Sequence, residues 1–203
     1  MNVLLSKLSI SKVVQEFFKE SFLVDRYGNL AFRYGGDFEY YTFQGHQVPV
    51  SQDLWIAGNQ NHHLIRRVFI CNSAMEAICF FSIHFSAYNH AGNLLFVATG
   101  LTPNDQQLQF IRDKFGPKKI ALVMGNDLLG RVSDIKIAAG IKQRPVSIAT
   151  SGDQIIVFLN NKQYVFDQDK LTLNALEKSS GLRSGLRTFK PKIYSTFLEQ
   201  LLR

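Results

Sequence analysis

Cysteine is nearly absent from this chain: Cys71 and Cys79 are the only two in 203 residues, and both sit inside apolar runs. That excludes a disulfide framework or a four-cysteine metal site, and reads as two small buried hydrophobes in a reducing compartment. Charged residues are sparse as well, at 19% against 46% apolar, which excludes a disordered chain. No apolar stretch approaches the ~20 residues of a membrane span. The opening Met1-Asn2-Val3-Leu4-Leu5 meets Ser6 and Lys7 too soon to be the core of a signal peptide. The expected location is cytoplasmic, with no membrane partner. Phosphate-cradling Gly-Lys-Thr and dinucleotide-binding Gly-x-Gly-x-x-Gly loops are both missing. The five histidines (His46, His62, His63, His84, His90) lack paired metal-ligand spacing. His62 and His63 read as loop surface, His84 as a satisfied core residue.

Acidic residues are outnumbered 16 to 23 by Lys and Arg, giving a net charge of +7. The excess is concentrated near the C-terminus, where Lys178, Arg183, Arg187, Lys190 and Lys192 occur without an intervening acid. Within that stretch Ser180-Gly181-Leu182-Arg183 is followed at once by Ser184-Gly185-Leu186-Arg187. Gly and Ser amides can approach phosphates and the arginines can neutralise them. A solvated basic linker is the competing reading.

Apolar spacing predicts an opening helix over residues 11–22, with Ser11 as its cap. Residues 28–55 read as an antiparallel meander whose aromatics (Phe32, Tyr34, Phe38, Tyr40, Tyr41, Phe43) form core and cross-strand pairs. Three continuous apolar runs, 68–71, 94–97 and 120–124, read as buried strands, each followed by a helical pattern: 74–81, 103–115 and 128–139. Strand–helix units of this kind imply a parallel sheet, whose chemistry lies at the carboxyl ends of the strands. After Pro145, strands are expected at 146–149, 154–159 and 163–166, then helices over 172–179 and 192–202. The predicted organisation is an α/β core over 65–145, a helix and β meander over 1–64, and a β hairpin, basic stretch and helix over 146–203.

The loops after the three buried strands resemble the signature positions of the Toprim family, shared by bacterial primases, topoisomerases and some nucleases. In that family the first strand ends in a Glu, with Asp-Ala a few residues on; here the frame reads Cys71-Asn72-Ser73-Ala74-Met75-Glu76-Ala77. The family's Asp-x-Asp after the third strand is matched by Gly125-Asn126-Asp127-Leu128-Leu129-Gly130-Arg131. The turn Ala98-Thr99-Gly100 is also similar. The resemblance implies a Toprim-like, Rossmann-like parallel sheet with flanking helices. It also implies a setting in DNA metabolism of a plasmid or other mobile element.

Family members hold Mg²⁺ through those carboxylates, yet here Asn72 and Gly125 replace two of the three and only Asp127 remains. One carboxylate is a poor ligand set for Mg²⁺, and an amide cannot act as a base. The resulting expectation is a non-catalytic protein without a cofactor that binds nucleic acid, DNA above all, or a nucleoprotein partner, with phosphate contacts from Arg131 and the Lys178–Lys192 stretch. Two alternatives stay open. Asp127 with Glu76 or Asp134 would rebuild a Mg²⁺- or Mn²⁺-dependent phosphotransferase. Alternatively, the terminal helices, with Ile193, Phe197, Leu198 and Leu201, would dock a protein partner.

Overall fold

The computed structural model describes residues 1–88 and 91–203; His90 lies outside the described residues. The chain is mixed α/β, and one five-stranded sheet organises it. The first part comprises α1 (Val3–Lys7), α2 (Lys12–Phe18), β1 (Leu23–Val24), β2 (Leu30–Tyr34), β3 (Asp37–Thr42) and β4 (Gly45–Gln47). The predicted opening helix is therefore shorter than 11–22. Ser11 caps α2 by accepting from the Val14 amide, and the chain tightens into a 3₁₀ turn at Lys19–Ser21.

The four strands form the expected antiparallel meander, but its aromatics do not all turn inward. Phe32, Tyr34 and Tyr41 are buried, whereas Tyr40 and Phe43 are exposed. Alternation along β3 places Glu39 and Tyr41 on the inner face. Next, β5 (Trp55–Gly58) leaves the meander and pairs antiparallel with the main-sheet strand β7 (Leu94–Ala98), Trp55 opposite Ala98. The sequence reading places Trp55 at the end of the meander, and the long-range pairing overrides it.

The three buried runs are β6 (Arg67–Cys71), β7 (Leu94–Ala98) and β8 (Lys119–Val123), followed by α3 (Ala74–His84), α4 (Asp105–Phe115) and α5 (Leu128–Ile141). Beyond them lie β9 (Val146–Ser151), β10 (Gln154–Leu159), β11 (Lys162–Asp167), α6 (Leu173–Ser180), β12 (Arg187–Phe189) and α7 (Phe197–Leu202). β9 to β11 make a separate antiparallel sheet, while the main sheet runs β12-β8-β6-β7-β5 with its first four strands parallel.

Burial on both faces explains the unbroken apolar runs. Phe69, Cys71, Phe96 and Val123 face one core, with α2, α3 and the meander. Val68, Ile70, Val97 and Leu122 face the other, with α4, α5, α6 and β10. Each such side chain contributes roughly 1.5–3 kcal/mol on burial. Both cysteines are buried and unbridged, and burial pushes their thiols well above the ordinary range. Among the described residues no helix is long and apolar enough to cross a membrane.

Two features of the C-terminal part depart from expectation. The helix predicted over 192–202 begins only at Phe197, and Phe197 and Leu198 pack on the chain's own core. The face offered for a protein partner is therefore largely occupied, though Ile193 stays 86% exposed. The basic stretch is not a linker, because Arg187–Phe189 adds a parallel strand to the sheet edge beside β8. The tandem repeat before it folds as two equivalent turns. Gly181 and Gly185 adopt left-handed φ of 72° and 71°, and Ser180 and Ser184 hydroxyls accept the Leu182 and Leu186 amides. Both leucines pack on the second core.

Candidate nucleic-acid interface

β6 lies between β7 and β8, so the loops carrying Asn72 and Gly125 leave adjacent strand ends. The chain passes from β6 to one face of the sheet and from β7 and β8 to the other. That divergence makes a crevice of the kind that holds ligands in α/β folds. Here the crevice is filled by the protein. Lys190, just beyond β12, places Nζ 2.6 Å from Asp134 Oδ2 and donates to the Gly125 carbonyl at 2.7 Å. The Ser195 carbonyl accepts the Asn126 amide at 2.7 Å. A Cβ at Gly125 would lie 3.0 Å from that same carbonyl and 3.0 Å from Asp127 Oδ1, so the strap over residues 190–199 and Asp127 together crowd any side chain at this position.

The three acids expected to serve a metal are engaged separately. Asp127 is exposed and caps α5, its Oδ1 accepting the Gly130 amide at 2.8 Å. Glu76 and Asp134 are buried, each 2% exposed. Glu76 accepts the Phe197 and Leu198 amides at 2.8 and 2.9 Å, so it caps α7. Burial raises its carboxyl, and the two amides pull the other way. Burial likewise raises Asp134, to about 6, against the pull of Lys190, and lowers the Lys190 ammonium. Asn72 leaves its side-chain oxygen buried without a partner.

A fourth acid, absent from the sequence reading, enters from the meander. Glu39 is fully buried and accepts the Ala74 and Met75 amides at 2.7 and 3.0 Å, the Tyr34 hydroxyl at 2.6 Å and His46 Nε2 at 2.8 Å. With Ser73 it caps α3, two residues beyond Asn72. Only its place among inward-facing strand positions signals it, and an acid flanked by aromatics gives no sequence cue to a buried cap.

Arg131 does not face a basic surface. Its guanidinium donates to the Asp169 carbonyl at 2.6 Å, and the adjoining cleft, about 580 Å³, is lined by Asp127, Asp153, Asp167 and Asp169. Four acids against two cations, Arg131 and the Asp167-paired Lys170, leave a net negative cleft that repels a polyanion. Lys190 is withdrawn from phosphate contact by its ion pair. Lys178, Arg183 and Lys192 are exposed but line neither of the two hollows that carry the remaining cationic surface.

That cationic surface is at the opposite, amino-terminal edge of the parallel strands. Arg67 begins β6 and lies in register with Lys119, which begins β8. Two hollows of about 510 and 470 Å³ share Arg67, Lys118 and Lys119; one adds Arg66, the other Lys142 and Arg187. No acidic side chain lines either hollow among the described residues, and none of these six cations is in an ion pair there. Arg67 stacks 5.4 Å from the Tyr88 ring centroid and Arg187 4.4 Å from that of Phe189, which orients both guanidinium groups. Of the predicted contact residues only Arg187 belongs to this surface. The missed residues did carry a signal: Arg66-Arg67 and Lys118-Lys119 immediately precede apolar strands, which puts each pair at one edge of a parallel sheet.

No family model, curated protein or solved structure matches the chain.

Proposed function

We propose that this protein is a Toprim-like, non-catalytic nucleic-acid-binding protein that uses the amino-terminal edge of its sheet. The carrying observation is the in-register placement of Arg67 and Lys119 without an acid between them. Like charges directly opposite one another on neighbouring strands are destabilising, and a bound polyanion offsets that repulsion. Adjacent ends of β6 and β8 support the Toprim-like reading, since two motifs that serve one ion must lie side by side. The strap over the carboxyl-terminal edge, with Asp127, Glu76 and Asp134 each held in a separate structural role, supports the non-catalytic part. DNA of a mobile element in the cytoplasm is the setting suggested by the resemblance.

Contacts of this kind give sequence-independent affinity with steep salt dependence. Anisotropy of a fluorescent 20-nucleotide DNA titrated from about 20 to about 200 mM salt is expected to show a linear fall of log affinity with log salt. Neutralising Arg67, Lys119, Lys142 and Arg187 together is expected to weaken binding by about 100-fold or more. Neutralising Lys178, Arg183 and Lys192 is expected to do far less. Undetectable binding at low salt, or binding indifferent to the first set, refutes the proposal.

A further inference from the structure

The hollows flanking Arg67 and Lys119 have shape and chemistry beyond their charge. Each combines cations with an apolar wall: Ile65, Tyr88 and Leu94 in one, Ile120, Ile141 and Phe189 in the other. The shared Arg67, Lys118 and Lys119 form a cationic ridge between them. Phosphates of a duplex lie on a convex rod and would touch such a ridge, but the bases stay stacked inside and leave the hollows empty. An unpaired strand can set its backbone on the ridge and turn a base face into the hollow on each side. The guanidinium planes of Arg67 and Arg187, already held against Tyr88 and Phe189, add surfaces on which a base can stack.

Resting on the nucleic-acid reading above, we propose that this groove is a single-strand site, taking successive nucleotides of unpaired DNA or RNA across the Arg67–Lys119 ridge. Two strand spacings, roughly 10 Å, separate β6 from β12, so a strand crossing the sheet edge from Arg66 toward Arg187 meets cations along its path. Contacts to phosphates and base faces carry little sequence information. They also do not require a 2′-hydroxyl, so ribo and deoxy strands are expected to bind alike.

The full chain is tested by anisotropy with fluorescent dT20, U20 and a 20-base-pair duplex, and by competition with inorganic polyphosphate of matched charge. The expected result is dT20 and U20 within about threefold of each other and each about tenfold or more tighter than duplex, the equivalent of one stacked base. Polyphosphate is expected to compete at least about tenfold less well than dT20, since it has no base face. Arg67→Gln with Lys119→Gln should lower dT20 affinity about tenfold or more and reduce the salt slope by roughly 1.4, two phosphate contacts. Lys118→Gln with Lys142→Gln, on a loop and just beyond a helix, provides a second variant should the first fail to fold. Equal or tighter duplex binding overturns the single-strand inference while leaving the nucleic-acid reading intact. Polyphosphate competing as well as dT20 overturns it also, reducing the groove to an anion patch. Absence of all nucleic-acid binding removes both.

Discussion

Lys190 Nζ sits 2.6 Å from Asp134 Oδ2, and this pair joins the C-terminal strap to the helix that follows β8. The carboxylate side chain is 2% exposed and the ammonium side chain 23%, so the two charges are largely withdrawn from water. Burial pushes both toward their uncharged forms, which means desolvation outweighs their attraction. Such a pair is worth little against an apolar replacement, yet breaking it exposes the whole penalty. Lys190→Met is expected to destabilise by about 3 kcal/mol, leaving Asp134 unpaired. Lys190→Met with Asp134→Leu is expected to return to within about 1 kcal/mol of the parent or exceed it. Urea unfolding of the three proteins checks both values, and a double variant as unstable as the single one contradicts this account.

The same pair predicts a pH dependence. Asp134 has an ordinary pKa of 3.8 when unfolded and about 6 when folded. Between those values the folded state holds a proton that the unfolded state has lost. The contribution of this group is therefore full below pH 3.8 and is lost as pH rises through about 6. The amount is of order 3 kcal/mol. Asp134→Asn is expected to remove this downward component from a plot of unfolding free energy between about pH 4 and pH 7. A variant with the parent's profile would assign the slope to other groups.

Asp127 is predicted to matter as a cap and not as a metal ligand. Its Oδ1 holds the Gly130 amide, and Asn serves at that position as well as Asp. Asp127→Asn is expected to be neutral in thermal unfolding, and Asp127→Ala to lose about 1 kcal/mol. Calorimetric injection of Mn²⁺ is expected to give the same heat with the parent and both variants. A heat of binding that disappears with the carboxylate would show a live ion site and overturn the non-catalytic reading.

Much of this architecture was legible in the residues and some was not, for identifiable reasons. β6, β7 and β8 are continuous apolar runs because both faces of each are covered, and that pattern survives in sequence. Ser73, Asn104, Asp127 and Thr172 each cap a following helix, a local relation that spacing reveals. β5 and β12 are four and three residues long and gain their partners only through tertiary pairing, so no local period marks them. The run of basic residues divides for a similar reason. Arg187 and Lys190 are three positions apart at the two ends of one strand, so one joins the open groove while the other pairs with Asp134 at the opposite edge. Contiguity along the chain was a poor guide to contiguity on the surface. The Arg66-Arg67 and Lys118-Lys119 pairs, far apart in sequence, are brought together because both begin neighbouring parallel strands.

Glu76 is the clasp of the strap, and its removal should loosen that segment more than the whole fold. Without it the Phe197 and Leu198 amides are left buried and unpaired, at about 1–3 kcal/mol for each group. Glu76→Gln keeps an acceptor and should be milder than Glu76→Ala. Cleavage by trypsin after exposed Lys192 reports opening of the strap. The expected order of cleavage rate is Glu76→Ala, then Glu76→Gln, then the parent, under conditions where far-ultraviolet dichroism of all three is unchanged. Equal rates would mean that Phe197 and its aromatic neighbours hold the strap without the carboxylate.

Gly130 supplies the most severe local constraint in the loop after β8. A Cβ at that position would lie 2.1 Å from the Gly125 carbonyl oxygen and 2.7 Å from its carbon, both backbone atoms that cannot rotate away. The first turn of α5 therefore presses directly on the loop whose carbonyl receives Lys190. Gly→Ala inside an exposed helix would gain stability through propensity, by up to about 1 kcal/mol. Here the overlap forces the helix and the loop apart, and the expected sign reverses, to a loss of about 2 kcal/mol or more. Gly152 provides the contrast, since it has open space around it and only a left-handed φ of 57° to resist a side chain. Gly152→Ala is expected to lose about 1 kcal/mol, the penalty of that backbone region alone. Thermal unfolding of the two variants beside the parent separates steric contact from backbone strain, and a Gly130→Ala protein as stable as the parent would deny the close approach of α5 to the Gly125 loop.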